Sequence, residues 1–357
     1  MKIIHISDLH LSSPLTTRLS TEKQRERKAE LLDTFRRIIR QGAELGVSAI
    51  IIAGDLFDNK RIPKRQLERV ISVIEEAKDI TFLYLPGNHE GEALSESGLS
   101  LPENLRIFGE EWTYFYLGDV CFAGRSTLPI RIGDGLSLDG SKTNIAVLHG
   151  ALGVHGDGEE IIGGAELAGR GINYLALGHY HTYAESRLSD GCPAVYCGTP
   201  EGRGFDEVGD CGFVLIDTDG GKVSFELHPV AKRRMRWIKV DVSGCDGQAE
   251  LKARVRCATE AIPSSDLVRV ELIGNRPIEL IPDLDTIAAG IKERFYYFDP
   301  IRDSSRAEIN PEKYRHDKTL KGEFIRLVSA DEGLSDEEKE LIIRCGVTAL
   351  MGEDVVI

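Results

Sequence analysis

The chain has no Cys-x-x-Cys pair, and its seven cysteines (Cys121, Cys192, Cys197, Cys211, Cys245, Cys257 and Cys345) are odd in number and scattered. That excludes a disulfide framework and a zinc knuckle, and points to buried thiols in a reducing cytoplasm. No run approaches the ~18 apolar residues of a membrane span, so no membrane partner is expected. The opening Met1-Lys2-Ile3-Ile4-His5-Ile6-Ser7-Asp8 lacks the long apolar region and cleavage site of a signal peptide, and reads as a strand that starts the fold. Positive charge is scarce: 44 Lys and Arg face 58 Asp and Glu, a formal charge of −14. Bulk electrostatic coating of nucleic acid is thereby disfavoured, although a local basic groove or a metal centre escapes that count. There is no Gly-x-x-x-x-Gly-Lys-Ser/Thr loop, so any ATPase working with this chain must be a separate polypeptide.

What is present is a soluble globular composition, 41% hydrophobic and 29% charged, over 357 residues, a length that suits two domains. The first ninety residues alternate strand and helix. Lys2 to Ser7, Ser48 to Ala53 and Thr81 to Leu85 are apolar strands, separated by amphipathic helices over Glu22 to Gln41 and Lys64 to Lys78. From Leu105 onward short strands follow one another as far as Leu227, enough to require a second sheet packed on the first. The spacing predicts an α/β sandwich flanked by helices over residues 1–230. Past the basic run Lys232-Arg233-Arg234-Met235-Arg236, a smaller α/β domain is expected over 231–357.

Five segments each follow a predicted strand: Asp8-Leu9-His10, Gly54-Asp55, Gly87-Asn88-His89-Glu90, His149-Gly150 and Gly178-His179-Tyr180-His181. Ligands of open α/β sheets sit beyond the carboxyl ends of the strands, so these tips are expected to converge. Two carboxylates, one amide oxygen and four imidazoles suit manganese, iron or zinc better than an all-oxygen calcium site. Asp55, alone after its strand, is the natural bridge between two ions ~3.5–4 Å apart, which together would clamp a phosphate and activate a water as the in-line nucleophile. His89, beside Asn88, is then the group expected to protonate the leaving oxygen.

These five segments resemble the calcineurin-like metallophosphoesterase superfamily, and the chain as a whole resembles its SbcD branch of DNA-repair nucleases. The likeness extends through Tyr196-Cys197-Gly198-Thr199-Pro200-Glu201 and Gly212-Phe213-Val214-Leu215 to the domain after the basic run. It implies a four-layer αββα sandwich with a C-terminal capping domain. By that resemblance Asp8, His10, Asp55 and His181 hold one ion, Asp55, Asn88, His149 and His179 hold the other, and His89 is the acid. It further implies two divalent ions, manganese first with iron, zinc or magnesium as alternatives. A DNA substrate, an SMC-like ATPase of the SbcC type and a homodimer are implied as well.

Two features depart from the family pattern: Leu11-Ser12-Ser13-Pro14 follows the Asp-x-His pair where glycine is usual, and the chain closes on an acidic stretch around Asp331 to Glu340 where an ATPase-docking tail is expected. The other readings are a phosphodiesterase or phosphatase for a small or protein substrate, and a scaffold without chemistry. Ser/Thr phosphatases carry Asp-Arg-Gly where this chain has Asp58-Asn59-Lys60, and a scaffold rarely keeps a complete ligand set. His5 is expected in the core, and no motif surrounds His155, His228 or His316. Asp58 stands equally as a ligand-orienting carboxylate or a plain loop residue. The basic residues of the first helix (Arg25, Arg27, Lys28, Arg36, Arg37, Arg40) read as a solvated face, whereas Lys232 to Arg236 is the better nucleic-acid candidate and stands equally as a short basic linker.

Overall fold

The computed structural model describes residues 1–11, 13, 15, 18–91, 93–153, 160–309, 311–350 and 352, so Ser12, Pro14 and His155 lie outside the described residues. Two compact units divide the chain, Met1–Met235 and Arg236–Ile357. The first unit opens with β1 (Lys2–Ile6), α1 (Thr21–Leu45), β2 (Ala49–Ala53), α2 (Lys64–Glu76), β3 (Thr81–Leu85) and β4 (Leu105–Ile107). Helix α1 starts where the Ser20 side chain accepts from the Lys23 amide, and stops at Gly46, whose left-handed backbone (φ 69°) releases the chain toward β2. β5 (Thr113–Leu117), β6 (Val120–Gly124), β7 (Thr143–His149), β8 (Ala151–Gly153), β9 (Ile161–Gly163), the single-turn α3 (Gly164–Leu167), β10 (Tyr174–Gly178), β11 (Ala184–Arg187) and β12 (Pro193–Tyr196) follow. The hairpin β13 (Gly212–Asp219) and β14 (Lys222–Pro229) completes the unit.

Two six-stranded sheets result, in the orders β14-β13-β1-β2-β3-β4 and β11-β12-β10-β7-β6-β5. Alternation along each strand sorts the side chains onto two faces. Ile3, Ile51 and Leu83 from one sheet meet Phe122, Ile145, Val147 and Ala176 from the other in the central core. Ile4, Ile50, Ile52 and Phe82 face outward and are covered by Leu31, Phe35 and Ile38 of α1 and Val70 and Ile74 of α2. The outer face of the second sheet, with Ala146, Leu148 and Leu175, lies under Trp112, Ile132, Ile162 and Leu167, which come from loops, β9 and α3. His5 is fully buried between the sheets beside the Tyr174 hydroxyl (3.1 Å), and burial drives its pKa down to about 3.

The second unit contains β15 (Met235–Asp241), α4 (Gln248–Thr259), β16 (Leu267–Ile273), β17 (Asn275–Pro277), α5 (Leu284–Ala289), β18 (Tyr297–Phe298), β19 (Arg302–Asp303), β20 (Arg306–Glu308), α6 (Leu320–Ser329) and α7 (Asp336–Leu350). One face of its four-stranded sheet packs Val240, Val268 and Leu272 against Leu251, Val255 and Ile287 of α4 and α5. Among the described residues no helix is long and apolar enough to cross a membrane.

Three expectations need correction. Cys121, Cys192, Cys197, Cys211 and Cys245 are buried, but Cys257 is exposed and Cys345 half-buried. Arg27 is not on a solvated face: it is fully buried and bonded to Glu30, Glu201 and the Gly202 carbonyl, because it falls in the same helical phase as Leu31, Thr34 and Phe35. The basic run, read as a nucleic-acid contact, is turned to carboxylates instead: Lys232 to Glu30 (2.8 Å), Arg233 to Glu26 and Glu30, Arg234 to Asp210 (2.6 Å) and Arg236 to Asp266 (3.0 Å).

Candidate metal centre

β1, β2 and β3 run parallel in one sheet, and β7 and β10 run parallel in the other. All five motifs stand at the carboxyl ends of these strands. The segment after β1 is zipped to the one after β2 by the amides of Asp8, His10 and Leu11, which donate to the carbonyls of Gly54, Asp55 and Leu56 at 2.9–3.1 Å. Asp8, His10, Asp55 and His179 all take positive φ (53°, 42°, 51° and 106°), which non-glycine residues adopt at a strain of order 1–3 kcal/mol each. Such strain persists where surrounding contacts over-determine it, and here it clusters on the residues expected to bind metal. Glycine is required beside them. A Cβ on Gly87 would stand 2.1 Å from Asp55 Oδ1, and one on Gly54 2.1 Å from His149 Nδ1.

The donor atoms meet around Asp55. Its Oδ2 lies 3.5 Å from His10 Nε2 on one side and 3.4 Å from His149 Nε2 on the other. Beyond His10, His181 Nε2 is 3.2 Å away and itself 3.8 Å from Asp8 Oδ1. Beyond His149, Asn88 Oδ1 is 3.1 Å away. Among the described residues, the groups of three or more donors lying within 4.8 Å of one another are Asp8, His10 and His181; Asp8, Asp55 and His149; and His10, Asp58 and His89. His179 stands outside all three. Its ring is edge-on to His149 with centroids 5.6 Å apart, its Nδ1 is 3.6 Å from Glu160, and its backbone N–H donates to Asp8 at 3.1 Å.

Donor chemistry fits a pair of divalent cations. Asp8 and Asp55 are buried carboxylates, and among the described residues no Lys or Arg is paired with either. Burial raises Asp8 above the usual carboxylate range. His149 is pushed up to about 9: burial opposes its charge, but the bond to Asp55 and the charge of Asp8 outweigh it. A cavity that draws a proton onto a buried imidazole is one that a cation would satisfy. The ring tautomers agree. His149 Nδ1 is 2.9 Å from the Ala53 carbonyl, so its Nδ1–H donates outward and leaves the Nε2 lone pair pointing in, while His181 Nδ1 sits between an acceptor, Glu207 Oε1 at 2.9 Å, and a donor, Arg203 Nη2 at 3.0 Å, and presents its Nε2 lone pair when its Nδ1–H is given to the carboxylate. Asp58 Oδ1 lies 3.0 Å from His10 Nδ1, off the line of a well-formed hydrogen bond. Burial, reinforced by Arg203, lowers His10 to about 3 and keeps that ring neutral.

His89 is the exposed histidine of the group. Its amide donates to Asp55 Oδ1 at 3.3 Å and its Nδ1 is 3.3 Å from the Asp58 carbonyl, which directs Nε2 to a point 3.8 Å from Asp55 Oδ2. A cavity of about 350 Å³ opens beside Asn88 and His149, walled by Ser126, Thr127, Leu128 and Glu160. The adjacent Glu90 carboxylate is buried and accepts from the amides of Leu56, Phe57 and Gly87 and from the Tyr84 hydroxyl. It thereby fastens the Asp55 loop to the Asn88 loop. Sequence reasoning singled out neither Glu207 nor Arg203. Their only local signal is an Arg-x-x-x-Glu spacing inside a glycine-rich stretch. His228, bonded to Glu226 and stacked on Phe213, belongs to none of the donor groups found among the described residues, and His316, in the second unit, is exposed.

Residues 1–183 match the family model described as calcineurin-like phosphoesterase. The chain is 30% identical over 291 residues to the DNA double-strand break repair protein Mre11 of Methanopyrus kandleri, covering 72% of this chain and 62% of that one. It is 27% identical over 270 residues to the protein of the same name from Haloferax volcanii (71% and 58%). It is 28% identical over 251 residues to the uncharacterized metallophosphoesterase YhaO of Bacillus subtilis (64% and 60%). The chain thus spans about three-fifths of the length of these relatives. With the family model covering just over half of its residues, and with two buried carboxylates and inward-facing imidazoles at the strand tips, the chain belongs to the calcineurin-like phosphoesterase family.

Proposed function

We propose that this protein is a two-metal phosphodiester hydrolase whose substrate is DNA, with manganese as the working ion. The observation that carries the reading is the position of Asp55, whose Oδ2 stands 3.5 Å from His10 Nε2 and 3.4 Å from His149 Nε2 and so lies between an imidazole of each proposed ligand set. Asp8, His10, Asp55 and His181 would hold one ion; Asp55, Asn88 and His149, with His179 alongside, would hold the other. Ions bound there supply Lewis-acid polarisation of a phosphoryl oxygen and a water acidic enough to act as nucleophile near neutral pH.

The protein's own groups do the rest. Glu90 fixes the spacing of the Asp55 and Asn88 loops, and Glu207 and the Ala53 carbonyl hold His181 and His149 in the ligating tautomer. His89 Nε2 faces the substrate side and donates a proton to the leaving oxygen, a contribution of roughly 10²–10⁴-fold. DNA as substrate is supported by the resemblance and by two relatives named for double-strand break repair. Arg25, Lys28 and Arg69 also line a groove of about 490 Å³ whose wall includes Leu11 and Phe57, neighbours in sequence of His10 and Asp58. The resemblance further supports a homodimer, a separate SbcC-type ATPase and a capping role for the smaller unit, and the scattered cysteines support a place in a reducing cytoplasm.

A substrate panel with Mn²⁺ tests the proposal: linear duplex DNA, single strands, cyclic nucleotides, phosphopeptides and an aryl phosphodiester. Cleavage of DNA is the expected result. Turnover of the aryl ester alone would leave a metallophosphoesterase without its proposed polymer substrate.

A further inference from the structure

We propose that Arg203 is a positioning residue that locks His10 and His181 into one ligand geometry through Asp58 and Glu207, and so sets the affinity of the ion those imidazoles hold. The inference rests on the metal-centre reading above. Arg203 is buried, and its fork addresses both backing carboxylates at once. Nη2 donates to Glu207 Oε1 at 2.6 Å and also lies 3.0 Å from His181 Nδ1 itself, Nε donates to the same Glu207 oxygen at 3.0 Å, and Nη1 reaches Asp58 Oδ1 at 3.5 Å and Ser13 Oγ at 3.2 Å. Its backbone N–H closes the ring by donating to Glu207 Oε2 at 2.6 Å. Glu207 in turn lies 2.9 Å from His181 Nδ1, and Asp58 3.0 Å from His10 Nδ1.

One planar guanidinium therefore fixes two carboxylates, each of which backs a different imidazole, and those imidazoles come within 3.2 Å of each other through Nε2. Asp58 is placed off the axis of the His10 N–H, so the ring alone does not hold it, and the Arg203 contact restrains it. A fixed positive charge this close to a cation site opposes the ion directly. It is useful there only if the order it imposes on the ligands outweighs that repulsion. The two effects have opposite signs on metal affinity, which makes the proposal testable by direction alone.

The experiment is a Mn²⁺ titration of the full chain by calorimetry, with electron paramagnetic resonance on the same samples, for wild type, Arg203→Met, Arg203→Lys and Glu207→Gln. Wild type should take up two equivalents and show the signal of a spin-coupled pair. Arg203→Met should keep one tight equivalent, weaken the other ~10–100-fold and lose the coupled signal at stoichiometric metal. Arg203→Lys should recover part of the affinity, because an ammonium reaches one carboxylate but does not span both. Affinity in Arg203→Met that is unchanged or tighter overturns the clamp. If Arg203→Met does not fold, Glu207→Gln tests the same link with an isosteric side chain: weaker binding of one ion supports it and unchanged binding overturns it. Wild type that binds no manganese removes the metal centre itself, a failure distinct from a two-ion wild type whose Arg203 variants bind normally.

Discussion

Replacing Glu201, a residue that touches none of the proposed ligands, should unfold the first unit more readily than almost any surface change. Its carboxylate is buried and fully used. Oε1 accepts from Arg27 Nη1 at 2.9 Å and the Arg233 amide at 3.3 Å, and Oε2 accepts from the Thr34 hydroxyl at 2.8 Å and the Lys232 amide at 2.7 Å. In Glu201→Ala the fully buried Arg27 keeps only Glu30 and the Gly202 carbonyl, and two backbone N–H groups lose their acceptor. Breaking one side of a buried ion pair costs about 3–5 kcal/mol, a large part of a total stability of about 5–15 kcal/mol. Glu201→Gln should be milder. Its NH₂ can take the Oε2 place, where the Thr34 hydroxyl reverses to accept, so that only the Lys232 amide is orphaned, at about 1–3 kcal/mol. The control is Asp33→Ala, which removes the exposed pair with Arg36 (3.1 Å) and should stay within about 1 kcal/mol of wild type. Of the two tryptophans, Trp112 is buried in the first unit, with its indole bonded to the Ile132 carbonyl, and Trp237 belongs to the second. A Trp237→Phe background therefore lets urea unfolding in chelator be followed by Trp112 fluorescence alone. If Glu201→Ala unfolds within about 1 kcal/mol of its parent, the buried network carries no weight. If Gln costs as much as Ala, the hydroxyl reversal is wrong.

His89→Gln should bind both ions as wild type does yet hydrolyse ~10²–10⁴-fold more slowly, read by calorimetry beside steady-state cleavage; full activity would remove the acid role. Asp55→Asn should lose metal and activity together. Gly87→Ala puts its Cβ 2.1 Å from Asp55 Oδ1 and 2.4 Å from the Asp55 amide, so the bridging carboxylate must move; manganese uptake should fall while circular dichroism shows a folded chain. For His5, with a folded pKa of about 3 against an unfolded 6.5, the unfolded state binds the extra proton. Its contribution to stability is complete above pH 6.5 and is lost as pH falls toward 3, at most roughly 5 kcal/mol at about 1.36 kcal/mol per pKa unit. Metal-free His5→Gln should show a shallower loss of stability than wild type across that window, and parallel curves would contradict it.

Much of the first unit was legible in the sequence because its strands are short apolar runs and its first two helices carry continuous 3.6-residue stripes. The elements that escaped have no such signal. β11 reads Ala-Glu-Ser-Arg with every residue exposed, and it exists because β12 offers it an edge to pair with. In α6, Gly322 in the first turn and the exposed Leu320 and Leu327 hide a helix that the Thr319 side chain caps. β18 is confined to Tyr297–Phe298, since Lys292–Arg294 closes into a 3₁₀ turn just before it.

The site divides along the same physical line. Ligands at strand ends leave a local trace, because a backbone that must bring Asp55 or His149 against its neighbours needs glycine at Gly54 and Gly87, and that pairing is visible within a few residues. The carboxylates and cations behind the ligands leave little more than an Arg-x-x-x-Glu spacing. Glu207 backs a histidine 26 positions away, and Arg27 finds Glu201 across 174. A sequence shows that a charge is present, and the face it falls on can be read from its phase, as Arg27 shares the stripe of Leu31 and Phe35. What neutralises it is decided by tertiary packing. The same rule explains the basic run, where four cations in five residues looked like a phosphate-binding strip until Glu26, Glu30, Asp210 and Asp266 were found opposite them. A charge run is therefore evidence of a partner, and only the fold says whether that partner is nucleic acid or the protein itself.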